Sequence, residues 1–197
     1  KAKFPVLLNG GGVVIGGAIA DTIQLAERLD APVCCGYQHN DAFPGSHRLF
    51  AGPLGYNGSK AGMELIAKAD VVLALGTRLN PFSTLPGYGI DYWPTEAALI
   101  QVDMNPNRIG LTKPVTVGIA GDVKQVANAI LAELSTTAGD VGREERKTLI
   151  AQTKADWAKE LAAMDHELDD AGTTWNQRAQ AKAPEKMTAR MAWRAIV

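Results

Sequence analysis

Short apolar runs separated by amphipathic stretches make up the first two thirds of the chain. Five of them, Pro5 to Asn9, Pro32 to Gly36, Val71 to Gly76, Leu99 to Asp103 and Val115 to Ile119, are nearly continuous in apolar residues. Each predicts a strand buried on both faces, because a strand with one wet face alternates apolar with polar positions. Between the first two, Ala18 to Leu29 repeats Ile19, Ile23, Ala26 and Leu29 at helical spacing, which completes one β-α-β unit. Ser59 starts a second helix carrying Met63, Ile66 and Ala67, and Asp122 a third carrying Val126, Ile130 and Leu134. Both starting residues are side-chain acceptors suited to an N-cap. Strands that alternate with helices predict an α/β fold of three layers, a mostly parallel sheet covered on both faces.

Two connections are long, Tyr37 to Gly58 and Leu79 to Ala98, and both are rich in Gly, Pro and aromatic residues. Loops of that length in a compact domain concentrate function or contacts. After Leu134 the run Ser135-Thr136-Thr137-Ala138-Gly139-Asp140 breaks the pattern. From Arg143 a long helix is expected, with Leu149, Thr153, Trp157, Leu161, Met164 and Leu168 on one face. Ala171 to Ala183 reads as a linker, and Pro184 leads into a last helix bearing Met187, Met191 and Ile196. The expected division is therefore 1–136 as the α/β domain, 137–184 as a helical linker segment and 185–197 as the start of another domain. Trp157, Trp175 and Trp193 in the tail are expected to pack against a partner domain.

Composition narrows the partners. A formal net charge of -1, with no sustained Lys/Arg block, argues against nucleic acid or an anionic membrane surface. Small molecules or other protein domains are the expected partners. The only two cysteines, Cys34 and Cys35, are adjacent within an apolar run, poor geometry for a disulfide or a metal site, so buried free thiols are expected. No signal peptide precedes the first strand and no apolar run approaches a bilayer span, so a cytoplasmic location is expected. The chain opens at Lys1 without Met and stops at Val197 within a helical pattern, and it is expected to be a fragment.

Gly10-Gly11-Gly12 follows a strand and precedes a helix, the context of a phosphate-cradling turn. A dinucleotide fingerprint would need a third glycine where Ile15 stands and an acid after the second strand, which instead ends in Gly36-Tyr37. No Gly-Lys-Ser/Thr follows either, so a tight turn that brings helix and strand together is the expectation. At the carboxyl ends of the third, fourth and fifth predicted strands stand Arg78, Asp103 and Asp122. Arg78 could hold a phosphate, Asp103 could accept from a ribose or adenine, and the three could line one nucleotide crevice. The alternative is that the two aspartates cap helices or turns and Arg78 forms an internal ion pair. His39, His47 and His166 have no metal-ligand spacing, and neither a nucleophile elbow nor a marked carboxylate pair is present.

The strand ends Leu75-Gly76-Thr77-Arg78, Ile100-Gln101-Val102-Asp103 and Gly118-Ile119-Ala120-Gly121-Asp122 resemble the central domain of the acetolactate synthase-like thiamine diphosphate enzymes. Phe50-Ala51-Gly52-Pro53-Leu54-Gly55-Tyr56-Asn57-Gly58 resembles the glycine-rich approach to that domain's second helix. The likeness spans about Phe4 to Leu134, and Met187 to Ile196 resembles the first helix of the family's pyrophosphate-binding domain. Cys34-Cys35-Gly36-Tyr37-Gln38-His39 onward to His47, and Thr77-Arg78-Leu79-Asn80-Pro81-Phe82 onward to Gly89, are similar to the family's branch that acts on sulfoacetaldehyde.

The resemblance implies a Rossmann-like sheet within an enzyme of three α/β domains, in which pyrimidine-binding and pyrophosphate-binding domains hold thiamine diphosphate and Mg2+. It implies transfer of an acetyl group from sulfoacetaldehyde to phosphate, with sulfite released, by an intact homo-oligomer, a dimer or tetramer. The Gly-Asp-Gly motif for magnesium and diphosphate is absent from this sequence, and so is the pyrimidine domain with its activating Glu. The chain is thus expected to be a scaffold, inactive alone, with no catalytic and no metal-binding residue of its own. In relatives the central domain can bind FAD, ADP or a coenzyme A nucleotide near strand ends matching Arg78, Asp103 and Asp122, and the resemblance leaves open whether this member does. A related lyase, decarboxylase or synthase built on such a nucleotide-binding domain is the alternative.

Overall fold

The computed structural model describes residues 2–137 and 142–170. Six strands form one sheet in the order β3-β2-β1-β4-β5-β6, all parallel. They are β1 (Pro5–Asn9), β2 (Val33–Cys35), β3 (Phe50–Pro53), β4 (Val71–Leu75), β5 (Ala98–Asp103) and β6 (Val117–Ala120). Val6, Leu7 and Leu8 of β1 and Cys34 and Cys35 of β2 are fully buried, as continuous apolar runs require when both faces are covered. Five strands were expected; the sixth, β3, lies inside the first long connection. Its register shifts against β2 between Val33 and Cys34, and Gly52 and Pro53 end it after four residues.

Helices α1 (Gly11–Ile15) and α2 (Ile19–Leu29) join β1 to β2, α3 (Lys60–Ile66) joins β3 to β4, and α4 (Val123–Thr137) follows β6. The first crossover moves toward β2 and the second moves back past β1, so right-handed connections put α2 and α3 on opposite faces. Asn128 on α4 donates to Asp21 on α2 at 2.8 Å, and Arg28 donates to the Leu134 carbonyl at 2.8 Å, which fixes these two helices side by side. The three-layer expectation holds. Both expected caps form: the Ser59 hydroxyl accepts from Gly62 N–H at 3.2 Å, and the Asp122 carboxylate from Gln125 N–H at 3.0 Å. Helix α4 runs to Thr137, past the break expected after Leu134.

No helix joins β4 to β5. The loop 76–97 fills that place with a 3-10 turn at Pro81–Ser83 and with Tyr92, whose buried hydroxyl accepts the Gly55 N–H at 3.1 Å. Strand β6 corrects another expectation. It begins at Val117 rather than Val115 and is largely exposed, because it forms the outer edge of the sheet.

Helix α5 (Arg143–Asp170) follows a left-handed turn at Gly142. The chain divides into two compact units at Lys154–Ala155. Within the first, α5 buries Arg146, Ile150 and Thr153 and packs the half-buried Leu149 on the core, so the expected face holds there at Leu149 and Thr153, and Arg146 and Ile150 widen it. Arg146 donates to the carbonyls of Leu29 (2.6 Å), Asp30 (3.0 Å) and Lys3 (2.6 Å). These are loose backbone acceptors at the end of α2 and ahead of β1, so a cation is the better inward residue. Asp30 ends α2 in left-handed backbone and is 1% exposed, with Arg48 at 2.7 Å, Arg143 also hydrogen-bonded to it, and Lys147 at 3.9 Å. Burial alone would raise its pKa, but the hydrogen bonds from Arg48 and Arg143 outweigh it and hold the carboxyl below the usual carboxylate range.

In the second unit α5 continues through Asp156 and Lys159, paired at 3.6 Å. The expected linker 171–183 and last helix lie outside the described residues, as do the side chains of Met164 and Leu168 and residues 138–141.

Candidate functional site

Strands β1 and β4 are neighbours, yet the chain leaves β1 toward β2 and leaves β4 toward β5. The loops after them part, and a crevice opens at the carboxyl edge of the sheet, where parallel sheets bind ligands. A cleft of about 200 Å³ lies there, its walls including Gly11, Gly12, Gly76, Thr77, Arg78 and Asp103. The glycines permit its shape. A Cβ on Gly12 would stand 2.6 Å from the Gly76 Cα, and Gly76 itself has φ of 58°. The glycine run therefore makes the expected tight turn, pressed against the end of β4.

Arg78 and Asp103 both line this cleft, and Asp122 does not. Asp103 is buried, and one of its oxygens accepts the Asn105 N–H at 2.8 Å. Asp122 caps α4 with one oxygen, while the other lies toward Gly16. Arg78 is exposed, and its guanidinium makes no ion pair among the described residues, so the internal pair weighed for it does not form there.

Sequence reasoning missed two contributors. Arg108, on the 3-10 turn after β5, also lines the cleft. Gln101, 1% exposed inside β5, donates to the carbonyls of Thr77 at 3.0 Å and Arg108 at 3.2 Å and accepts from Gly110 N–H at 2.9 Å. It ties the two arginine-bearing loops together. A lone Gln within an apolar strand was the available signal, since a buried amide needs partners. The other buried amide, Asn9 at the end of β1, donates to Thr22 at 3.2 Å and to the Ala42 carbonyl at 3.0 Å, while its Oδ1 has no partner among the described residues.

Two guanidinium groups and a glycine-walled turn suit a phosphate. The two thiols do not suit covalent chemistry. Cys34 and Cys35 are buried and free; burial pushes the Cys34 thiol far up and Cys35 up to about 12, so neither supplies a thiolate. No three His, Cys, Asp or Glu gather to hold a metal among the described residues. With no Gly-Asp-Gly in the sequence, these residues do not fit a magnesium-diphosphate site.

Comparison with known proteins agrees with this architecture. Residues 1–130 match the family described as thiamine pyrophosphate enzyme, central domain. The chain is 75% identical over 196 residues to a sulfoacetaldehyde acetyltransferase of Roseovarius nubinhibens, covering all of this chain and 32% of the relative. With that of Rhodobacter capsulatus it shares 71% over 196 residues, all of this chain and 33% of the relative. A probable acetolactate synthase large subunit of Methanocaldococcus jannaschii is 38% identical over 134 residues, 68% of this chain and 22% of the relative. The chain thus spans about a third of the length of the acetyltransferases it matches. By its all-parallel sheet and by these matches, the chain belongs to the thiamine pyrophosphate enzyme family, with residues 1–130 as the central domain.

Proposed function

We propose that this chain is the scaffold of an enzyme that converts sulfoacetaldehyde and phosphate to acetyl phosphate and sulfite. One observation carries the reading. Identity to the acetyltransferases of Roseovarius nubinhibens and Rhodobacter capsulatus is 75% and 71% over the whole chain, whereas the match to the acetolactate synthase falls to 38% and covers 134 residues. The stoichiometry closes without an external oxidant: the carbon-sulfur bond breaks, the aldehyde carbon is oxidised to an acyl carbon, and its neighbour is reduced to a methyl group. Thiamine diphosphate, held with Mg2+ by sequence outside this chain, supplies the electron sink that such a rearrangement needs. This chain's own part is positional. Gln101 holds the loops of Arg78 and Arg108, and the sheet carries them as one body. A cytoplasmic location and a homo-oligomeric state, dimer or tetramer, belong to the same proposal.

The test is to incubate the full-length protein with sulfoacetaldehyde, phosphate, thiamine diphosphate and Mg2+ and to assay sulfite and acetyl phosphate together. Equal release of both is expected; absence of sulfite sinks the assignment.

A second reading, that the cleft binds a phosphate of FAD, ADP or coenzyme A, draws support from two arginines facing it without a carboxylate partner among the described residues. Calorimetric titration with each nucleotide checks it. Heat that vanishes in Arg78→Gln is expected, and no heat with any of the three removes the reading.

A further inference from the structure

The carboxyl edge of the sheet carries more apolar surface than its own fold uses. Tyr56, Phe82, Leu85 and Tyr88 stand 56%, 57%, 39% and 50% exposed on two adjoining loops. These loops are firmly joined. Tyr56 N–H donates to the Phe82 carbonyl at 3.0 Å, and the Tyr88 hydroxyl to the Gly58 carbonyl at 3.0 Å. Tyr37 N–H donates to the Ser83 hydroxyl at 3.2 Å, and the Tyr37 and Tyr56 rings meet edge to face at 5.9 Å. The patch is therefore preformed.

Backbone strain gathers in the same place. Four non-glycine residues have positive φ among the described residues, and three of them, Asn57 (55°), Leu79 (53°) and Tyr88 (54°), belong to these loops. A bulky residue such as Tyr88 in left-handed backbone is costly, and a half-exposed ring recovers little of that cost by burial within this chain. Strained, preformed and exposed aromatics together mark a surface completed by something else.

Given the reading above, that this chain is the central part of a larger enzyme, we infer that Tyr56, Phe82, Leu85 and Tyr88 dock the thiamine-binding remainder of the same enzyme. The docked surface is apolar and comes from sequence outside residues 1–197. The matched acetyltransferases carry about two thirds of their length beyond the aligned stretch, so there is ample chain to cover it. Size favours this occupant over a second copy of the domain. Four partly exposed side chains make a patch of a few hundred Å², a sound nucleus for an interdomain contact of about 600–1,500 Å² but a small one for a stable dimer of about 1,200–2,000 Å². Location agrees: Tyr37 packs on Tyr56 and also lines the cleft, so the docked remainder sits beside the cleft mouth.

The test uses the full-length enzyme with a photoreactive benzophenone amino acid in place of Phe82. After irradiation, mass spectrometry is expected to find cross-links to peptides outside residues 1–197. Cross-links confined to residues 1–197 of the same or a second copy overturn the inference, as does the absence of any. Sulfite release is assayed on the unmodified enzyme in parallel. A cross-link without sulfite release from the unmodified enzyme removes the activity reading and leaves the docking face; sulfite release without the cross-link does the reverse.

Discussion

At the amino edge of the sheet Arg48, Arg143 and Lys147 converge on the carboxylate of Asp30 and Arg146 is spent on three carbonyls, while at the carboxyl edge Arg78 and Arg108 face a cleft with no ion pair to either among the described residues. The same residue type serves two purposes. A guanidinium held by a buried carboxylate or by loose carbonyls fastens one element to another, here α5 to the body. One without such a partner keeps its donors for a group from outside. The apolar residues divide the same way, since Leu49 and Ile150 are buried at the amino edge and Tyr56 and Phe82 are exposed at the other.

Substitutions can break or sharpen this contrast. The largest effect is expected from Gly55→Ala. Gly55 has φ of 81°, and an added Cβ would stand 1.9 Å from the Phe82 carbonyl oxygen, so the two aromatic loops cannot both keep their places. A loss of about 3 kcal/mol or more in urea unfolding is expected.

Next comes Asp30→Asn, which leaves Arg48 and Arg143 without their anion. Because both arginines reach solvent, we expect about 2–3 kcal/mol rather than the full cost of a buried broken pair. Its pH dependence has a definite sign. The folded-state pKa of Asp30 lies below the ordinary 3.8, so the unfolded chain takes up the proton first. The stabilisation is complete above the unfolded pKa and is lost as pH falls through the folded value. The gap between the thermal melts of the wild-type and Asp30→Asn proteins should therefore narrow as pH falls below about 4 and close only below the folded-state pKa. A gap that persists undiminished far into acid contradicts the ion-pair account.

Asp122→Ala should cost about 1 kcal/mol, the ordinary loss of an N-cap, and leave any nucleotide affinity unchanged. Reduced affinity would restore Asp122 to the cleft. The smallest change in stability is expected for Arg78→Gln, within about 0.5 kcal/mol, as for an exposed residue whose side chain has no ion-pair partner among the described residues. A larger shift in the melting midpoint would show that Arg78 fastens the fold as the amino-edge arginines do.

Most of the sheet was legible because β1, β2, β4 and β5 are buried on both faces, and their apolar runs have no other economical placement. Strand β3 was not, since Phe50-Ala51-Gly52-Pro53 has no pattern of its own and is a strand only through pairing with β2. Helix α1 was hidden by the glycines that open it. The inward face of α5 was legible at Leu149 and Thr153 but not at Arg146, for a chemical reason: hydropathy gives an arginine no inward place, but part of the surface awaiting the helix was a set of carbonyls and a carboxylate. At the cleft, Arg78 and Asp103 could be placed from the rule for parallel strand ends. Arg108 and Gln101 could not, because their roles depend on how two loops distant in sequence fold toward each other.

The paired thiols in β2 give the molecule a built-in gauge. Cys34 and Cys35 are the only sulfhydryls of the chain, both wholly enclosed and held protonated by burial. Because β2 lies beside the edge strand β3, an alkylating reagent reaches them when that side of the sheet opens, so the rate of labelling counts the opening events of β2 and its neighbours.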